Sequence, residues 1–354
     1  MSISVCIITL NEEKVLERLL LCVKKFADEI IVVDTGSSDK TVEIALKYTD
    51  KVYFYKWIDD FSSARNFAFS FAESTYLMWL DADDYIDDKN VEKIIKLKEN
   101  LQKDTYMFKY LCGVDEKNRS SFWFYRERLI KNCEKAKFKG FVHETITPFG
   151  QIEYLDIEIE HRKVAVNDNK RNLNIYKKHI KNGEILSARD EYYYAKEYYY
   201  LGYLKTAKKL LKKFTKRRDA YSFDLIDAYY TLYDIAIKTN ENSPLSYLFL
   251  CLQKCGTNGE LLCKIGDAYL KNGEILKAID YYKFSLSCKK PIVGFIKKEY
   301  YYIYPLLQLT CLCYKVGDYA QAKYFHQKCE EEDRENPVVI YNRRFFENKN
   351  EKAD

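Results

Sequence analysis

The sequence predicts an α/β domain built on a mostly parallel sheet, followed by an all-α domain of helical repeats. Short apolar runs alternate with amphipathic helical patterns in the first part of the chain, and glycine-centred helical units recur in one frame in the second. The acidic run Trp79-Leu80-Asp81-Ala82-Asp83-Asp84 closes an apolar segment. Carboxylates there are hard oxygen ligands placed where such a sheet opens its ligand crevice, which suggests a divalent cation gripping a phosphorylated molecule.

Residues 3–10 form a nearly continuous apolar run, Asn11-Glu12-Glu13 a loop, and Val15, Leu16, Leu19, Leu20 and Val23 the apolar stripe of a helix. Residues 29–33 repeat the strand signal, Asp34-Thr35-Gly36-Ser37-Ser38-Asp39 supplies turn and capping residues, and residues 41–48 read as helix. Residues 51–57 predict a third strand, 62–72 a helix and 75–80 a fourth strand. Asn11, Asp34 and Asp81 each follow a strand of a parallel sheet, so they are expected to converge on one crevice. Residues 106–112 and 122–130 read as further strands, separated by the turn-like Asp115-Glu116-Lys117-Asn118.

Past residue 165 the pattern turns to long helices with regularly placed small residues. Ile265-Gly266-x-x-Tyr269-x-x-x-Gly273, followed by Ala278, Tyr282 and Ser285, matches the tetratricopeptide pattern. Aligned on the turn glycine, Ala195, Tyr198, Gly202, Ala207 and Phe214 form an earlier unit, and Gly317, Tyr319 and Ala322 a later one. Residues 221–255 are expected to be a degenerate helical pair. The polar stretch 164–174 marks the boundary, dividing the chain into domains 1–167 and 168–354.

At 354 residues the chain is long enough to bury two cores. Its net charge of +5 is unevenly spread: residues 162–218 hold 17 Lys/Arg against five Asp/Glu. The default for Lys-rich helices is a solvated face, and the nearby tyrosines fit repeat interfaces better than a base-stacking platform, so nucleic-acid binding is not expected. Eleven cysteines occur without paired C-x-x-C spacing and read as small buried hydrophobes in a reducing cytoplasm. Residues 1–5 lead straight into a strand without the pattern of a signal peptide, and no run is long enough for a transmembrane helix.

An isolated D-x-D triplet is more often a turn or cap than a site. Combined with Val32-Val33-Asp34-Thr35-Gly36-Ser37-Ser38-Asp39, Thr9-Leu10-Asn11-Glu12 and Asp60-Phe61-Ser62-Ser63-Ala64-Arg65-Asn66, it resembles family 2 glycosyltransferases of the GT-A fold. Phe138-Lys139-Gly140-Phe141-Val142-His143-Glu144 and the attached tetratricopeptide units resemble the bacterial, sublancin-type peptide S/O-glycosyltransferases. Glycosyltransferases of the lipopolysaccharide core share the Val-His-Glu signature.

The resemblance implies a cytoplasmic, metal-dependent inverting transfer from a UDP-sugar to a peptide or protein side chain (Cys, Ser or Thr), with Mg2+ or Mn2+ on the diphosphate. Thr9, Asn11 and Asp34 would surround the nucleobase and ribose, Arg65 would face the nucleotide or its phosphates, and Asp81 the ribose or a metal-bound water. Asp83 would contact the metal, with His161 as a further ligand, while Asp84 and Asp87 would sit in a solvated turn. Glu144 would be the general base and His143 its orienting neighbour. The structural alternatives are an Arg65 ion pair with Asp59 or Asp60, and a Glu144 pair with Arg126 or Arg128 that organises the loop. The helical repeats would bind the acceptor or form a homodimer. A lipid-linked or lipopolysaccharide acceptor, or a non-catalytic interaction protein built on the repeats, are the other readings.

Overall fold

The computed structural model describes residues 1–114, 120–162, 169–291 and 297–350. Two compact units compose it, Met1–Leu210 and Leu211–Asp354. The expected turn at Asp115-Glu116-Lys117-Asn118 and the expected domain boundary at 167/168 lie outside the described residues.

In the first unit the chain runs β1 (Ile3–Thr9), α1 (Leu16–Val23), β2 (Glu29–Asp34), α2 (Thr41–Leu46), β3 (Val52–Phe54), α3 (Phe61–Phe69) and β4 (Tyr76–Asp81), the alternation the apolar pattern predicts. It continues through β5 (Asp84–Tyr85), α4 (Asp88–Glu99), β6 (Thr105–Val114), β7 (Ser120–Lys131), β8 (Phe138–Lys139), β9 (Thr145–Ile146) and β10 (Ile152–His161). Eight strands form one sheet in the order β3-β2-β1-β4-β7-β6-β10-β5. The pairings make all of them parallel except β7 and β5. The sheet is thus the mostly parallel, Rossmann-like sheet of a GT-A domain.

Residues 3–7, 30–34 and 76–80 are buried on both faces, which is why β1, β2 and β4 read as continuous apolar runs rather than alternating ones. Ile3, Val5, Ile7, Val32, Met78 and Leu80 join Leu16, Leu19 and Leu20 of α1 in the largest core. β3 pairs only with β2, as an edge strand, and ends at the exposed Phe54, three residues short of the predicted end. In the ladders Thr9 lies opposite Asp34 and Ile8 opposite Asp81, so the ends of β1, β2 and β4 are neighbours, as expected.

Helices α5 (Arg171–Lys181) and α6 (Ala188–Tyr200) belong to the sheet-bearing unit, and α7 (Leu204–Phe214) crosses the division. The second unit holds α8 (Ser222–Lys238), α9 (Ser246–Cys255), α10 (Gly259–Lys271), α11 (Ile275–Leu286), α12 (Ile303–Lys315), α13 (Tyr319–Glu332) and α14 (Pro337–Asn350). Residues 221–255 therefore do contain a helical pair, α8 and α9.

One turn geometry recurs. Gly202, Gly273 and Gly317 have φ of 79°, 80° and 85°. After each, the next backbone N–H reaches back across the helix end: Tyr203 to Tyr198, Glu274 to Tyr269, Asp318 to Cys313. This is the Schellman closure, which requires a left-handed residue. Asn240, at φ 52°, makes the same turn between α8 and α9, with Glu241 N–H donating to the Ala236 carbonyl. Asparagine tolerates that region, so the repeat frame persists where its glycine is lost.

Gly266 serves packing instead: a Cβ there would lie 3.0 Å from the Tyr282 ring, whose hydroxyl bonds Asp267 at 2.5 Å. Gly273→Ala, which meets no steric neighbour, is expected to cost about 1–2 kcal/mol through backbone conformation alone, measurable by urea denaturation.

Cys6, Cys22, Cys251, Cys263, Cys313 and Cys329 are free and buried, whereas Cys133 and Cys311 are exposed, so the reading of the cysteines as buried hydrophobes holds only in part. Among the described residues no helix is long and apolar enough to cross a membrane.

Candidate active site

The ends of β1 and β2 are tied together by side chains. The Thr35 N–H and hydroxyl both donate to the Thr9 carbonyl, at 2.9 and 2.8 Å. Asp34 is buried; its Oδ2 accepts from the N–H groups of Gly36 and Ser37 at 2.9 Å each, and its Oδ1 from the Thr9 hydroxyl at 3.3 Å. Asn11, at φ 56°, accepts from Ser38 N–H at 2.8 Å through Oδ1, and its own N–H donates to Ser37 Oγ. Asn11 and Asp34 thus hold residues 34–38 in shape, while Thr9 and Thr35 line an adjoining cleft of about 460 Å³.

At the end of β4 the expected solvated turn is overturned. Asp84 is fully buried; its Oδ2 accepts from the Asp81 N–H at 2.9 Å and pairs with Arg128 Nη1 at 3.1 Å, and its Oδ1 accepts from the Tyr110 hydroxyl at 2.9 Å. Arg128, also fully buried, lies 3.8 Å from the Trp79 ring centroid and 4.2 Å from that of Tyr110. A buried arginine needs this anion, and the anion needs it, because neither is solvated. Asp87 is not in a free turn either: it caps α4, accepting from Asn90 N–H at 2.8 Å.

β5 pairs antiparallel with the end of β10, and in that ladder His161 stands opposite Asp84. His161 Nδ1 lies 3.3 Å from Asp83 Oδ1 and 3.8 Å from Asp84 Oδ1. These carboxylates push the imidazolium pKa up to about 10, against a desolvation that opposes the charge. The Nδ1 atom is buried and makes no well-aligned hydrogen bond among the described residues. Asp83, Asp84 and His161 each offer one ligand atom, all within 4.8 Å of one another. Two carboxylates and an imidazole suit Mg2+ or Mn2+, and the poorly satisfied Nδ1 fits a ligand's role.

Arg65 of α3 is buried and joins the two halves of the site: Nη2 pairs with Asp81 Oδ1, and Nε with Glu144 Oε1 at 2.6 Å. Both structural alternatives named the wrong partner. Asp60 instead caps α3, accepting from Ser63 N–H at 3.0 Å, and Asp59 pairs with Lys178 and accepts from Trp57 Nε1. Arg128 is committed to Asp84, and Arg126 pairs with Glu127 Oε1 at 3.4 Å and donates to the Glu144 carbonyl, not its carboxylate, at 3.2 Å. Burial would raise the Asp81 carboxyl, but the charges of Arg65 and Arg128 hold it well below the usual carboxylate range. Desolvation disfavours the Arg65 guanidinium, yet Asp81 and Glu144 keep it firmly protonated.

The segment Gly140–Glu144 has every carbonyl anchored from outside. Gly140 accepts from the Ser62 hydroxyl and Phe141 from Phe61 N–H at 3.0 Å, both on α3. Val142 accepts from Tyr176 of α5 at 3.3 Å, His143 from Arg189 of α6 at 3.1 Å, and Glu144 from Arg126 of β7. His143 is held at φ 56°, a conformation that costs a non-glycine residue energy and persists only where its surroundings impose it.

The cleft gathers Thr9, Arg65, Asp81, Asp83, His143, Glu144 and His161, while Asn11 and Asp34 support its wall from behind the loop. Trp57, Phe61, Arg171 and Asn172 also line it, and none of them was a candidate from sequence. Arg126 and Arg128 did leave a signal, two arginines on either side of Glu127 between the apolar segments 122–125 and 129–130 of one strand. Trp123 packs edge-on to Tyr125, whereas Trp57 lines the cleft.

Residues 4–150 match the family Glycosyl transferase family 2. A TPR repeat-containing protein of Synechococcus elongatus is 34% identical over 146 residues, 41% of this chain and 35% of that one. The SPbeta prophage-derived glycosyltransferase SunS of Bacillus subtilis is 34% identical over 143 residues, 39% of this chain and 33% of its own length. The match thus spans about a third of these relatives. The crystal structure of S. aureus TarS 1-349 in complex with UDP aligns with 84% of this chain and 97% of its own at 15% identity, with a TM-score of 0.37. Residues 4–150 thus match glycosyltransferase family 2, and tetratricopeptide-like helices follow them.

Proposed function

We propose that the chain is a cytoplasmic, metal-dependent inverting glycosyltransferase that moves a sugar from a UDP-sugar to a Cys, Ser or Thr side chain of a peptide or protein. The observation that carries this reading is the set of ligand atoms on Asp83, Asp84 and His161 beside a cleft formed at the strand ends of a family 2 domain. A glycosyltransferase domain over 1–167 performs the transfer, and helical repeats over 168–354 bind the acceptor or form a homodimer.

Asp83 and His161 hold Mg2+ or Mn2+, with Asp84 fixing the geometry through Tyr110 and Arg128. The bound cation supplies charge neutralisation on the departing diphosphate. Thr9 meets the nucleoside, and Asn11 and Asp34 shape the loop that receives it. Asp81, kept ionised by Arg65, accepts a ribose hydroxyl. His143 and Glu144 stand on the acceptor side, where a base takes the nucleophile's proton as the sugar carbon is attacked from the face opposite the diphosphate.

Purified protein incubated with Mn2+, UDP-glucose or UDP-GlcNAc and a panel of Cys- and Ser-containing peptides is expected to add one sugar to a peptide, detected by mass spectrometry. Sugar transfer only to a saccharide or lipid acceptor would overturn the peptide assignment, and absence of UDP release with every acceptor would overturn the enzyme.

A further inference from the structure

We propose that Glu197, on α6, is a positioning residue for His143, and that His143 rather than Glu144 takes the acceptor's proton. This rests on the glycosyltransferase reading of the same cleft. His143 Nε2 lies 3.2 Å from Glu197 Oε1. Glu197 is buried and also accepts from Asn172 Nδ2 of α5 at 3.1 Å, so its carboxylate is fixed from two sides. The Tyr193 ring stacks on the imidazole at a centroid distance of 4.0 Å and an angle of 17°. With Nε2–H committed to Glu197, Nδ1 keeps the lone pair that can accept a proton.

Glu144 is placed differently. Its Oε1 forms the buried ion pair with Arg65 Nε, so protonating it would forfeit that charge-assisted bond in a desolvated site and leave Asp81 alone to pair the guanidinium. Proton uptake by His143 has the opposite effect, because the imidazolium gains an ion pair with Glu197. The other charged groups near the imidazole are Arg189 on α6, bonded to the His143 carbonyl, and Arg171 on α5, which shares the cleft. The left-handed backbone at His143, clamped on both sides, fixes where the ring stands.

In the reaction the acceptor's S–H or O–H proton moves to His143 Nδ1, and the sulfur or oxygen lone pair forms the bond to the anomeric carbon. The bond from that carbon to the diphosphate oxygen breaks, and its electron pair leaves with UDP. Glu197 neutralises the imidazolium. Both α5 and α6 lie beyond the family match at residues 4–150, so helices outside that domain complete its acid–base machinery.

The test compares wild type, Glu197→Gln, His143→Ala and the double variant by UDP release from UDP-glucose and UDP-GlcNAc with Mn2+, both with water and with the peptide panel as acceptor. Glu197→Gln is expected to lower kcat by about 10²-fold and leave KM for the donor within about twofold. The double variant should be no slower than His143→Ala. Two-bond 1H–15N correlation of the four histidines should show His143 with its proton on Nε2 in wild type.

An active wild type whose Glu197→Gln variant keeps kcat within about threefold overturns the proposal alone, as does a wild-type His143 with its proton on Nδ1. Losses in the double variant that multiply those of the single variants do the same. A wild type that releases no UDP from either donor overturns the glycosyltransferase reading and the proposal together.

Discussion

Asp84→Ala is expected to destabilise the sheet-bearing unit by about 3–5 kcal/mol, the largest loss of any single carboxylate in the site. The reason is its partner. Arg128 is fully buried among Trp79 and Tyr110, its Nε and Nη2 already lack hydrogen bonds among the described residues, and Asp84 supplies its counter-charge. Removing the carboxylate strands that cation, leaves the Tyr110 hydroxyl its longer 3.4 Å bond to Asp81 Oδ2, and frees the Asp81 N–H. Asp84→Asn keeps acceptor and shape but not charge, so it should fall between wild type and alanine. Urea denaturation followed by circular dichroism measures both. A loss below about 1 kcal/mol for Asp84→Ala would contradict the buried pair.

Arg65→Ala is expected to cost about 3–5 kcal/mol as well, and also to lower kcat/KM by at least about 10²-fold. It leaves Asp81 and Glu144 facing each other without the guanidinium that joins them. Arg65→Lys should rescue only in part, because a single ammonium cannot reproduce two donors that point at two carboxylates. The stability effect has a pH signature. Asp81's folded pKa is depressed, so in wild type its contribution is present above the ordinary aspartate pKa of about 4 and is lost as pH falls towards the folded value. In Arg65→Ala that contribution is gone, so the gap between the two proteins should be widest near neutral pH and narrow as pH drops below about 4. A gap that stays constant from pH 7 to pH 3 would mean that the ion pair is not its source.

The parts of the fold legible in the sequence are those set by local pattern. β1, β2 and β4 are buried on both faces, so each wrote a continuous apolar run, and their parallel order brings their ends together, although of Asn11, Asp34 and Asp81 only Asp81 lines the cleft. The repeat frame at Gly202, Gly273 and Gly317 was legible because the left-handed turn all but demands glycine, and it was lost at position 240, where asparagine takes that turn. The direction of β7 was not legible, since an antiparallel strand between parallel neighbours leaves no mark on its own residues.

Side chains whose partners lie far along the chain were misread most. A pair of adjacent aspartates looks solvated until Arg128, 44 positions on, is seen to bury with the second of them. Arg65 had two acidic neighbours in sequence, but one helical turn spent Asp60 on the cap, and its ion pairs formed with Asp81 and Glu144 instead. Glu197 sits in a tyrosine-rich helix with nothing local to distinguish it from a surface charge; its burial follows from His143 and Asn172.

The central claim is that Asp83 and its neighbours hold a divalent cation that in turn holds a nucleoside diphosphate. Titration calorimetry of UDP into the full chain, with Mn2+ and with EDTA, tests it for wild type and Asp83→Ala. The expected result is saturable binding with Mn2+, weakened at least about tenfold in EDTA and equally so by Asp83→Ala, a difference of about 1.4 kcal/mol or more. Equal UDP affinity in all four combinations, or no binding by wild type with Mn2+, would contradict it.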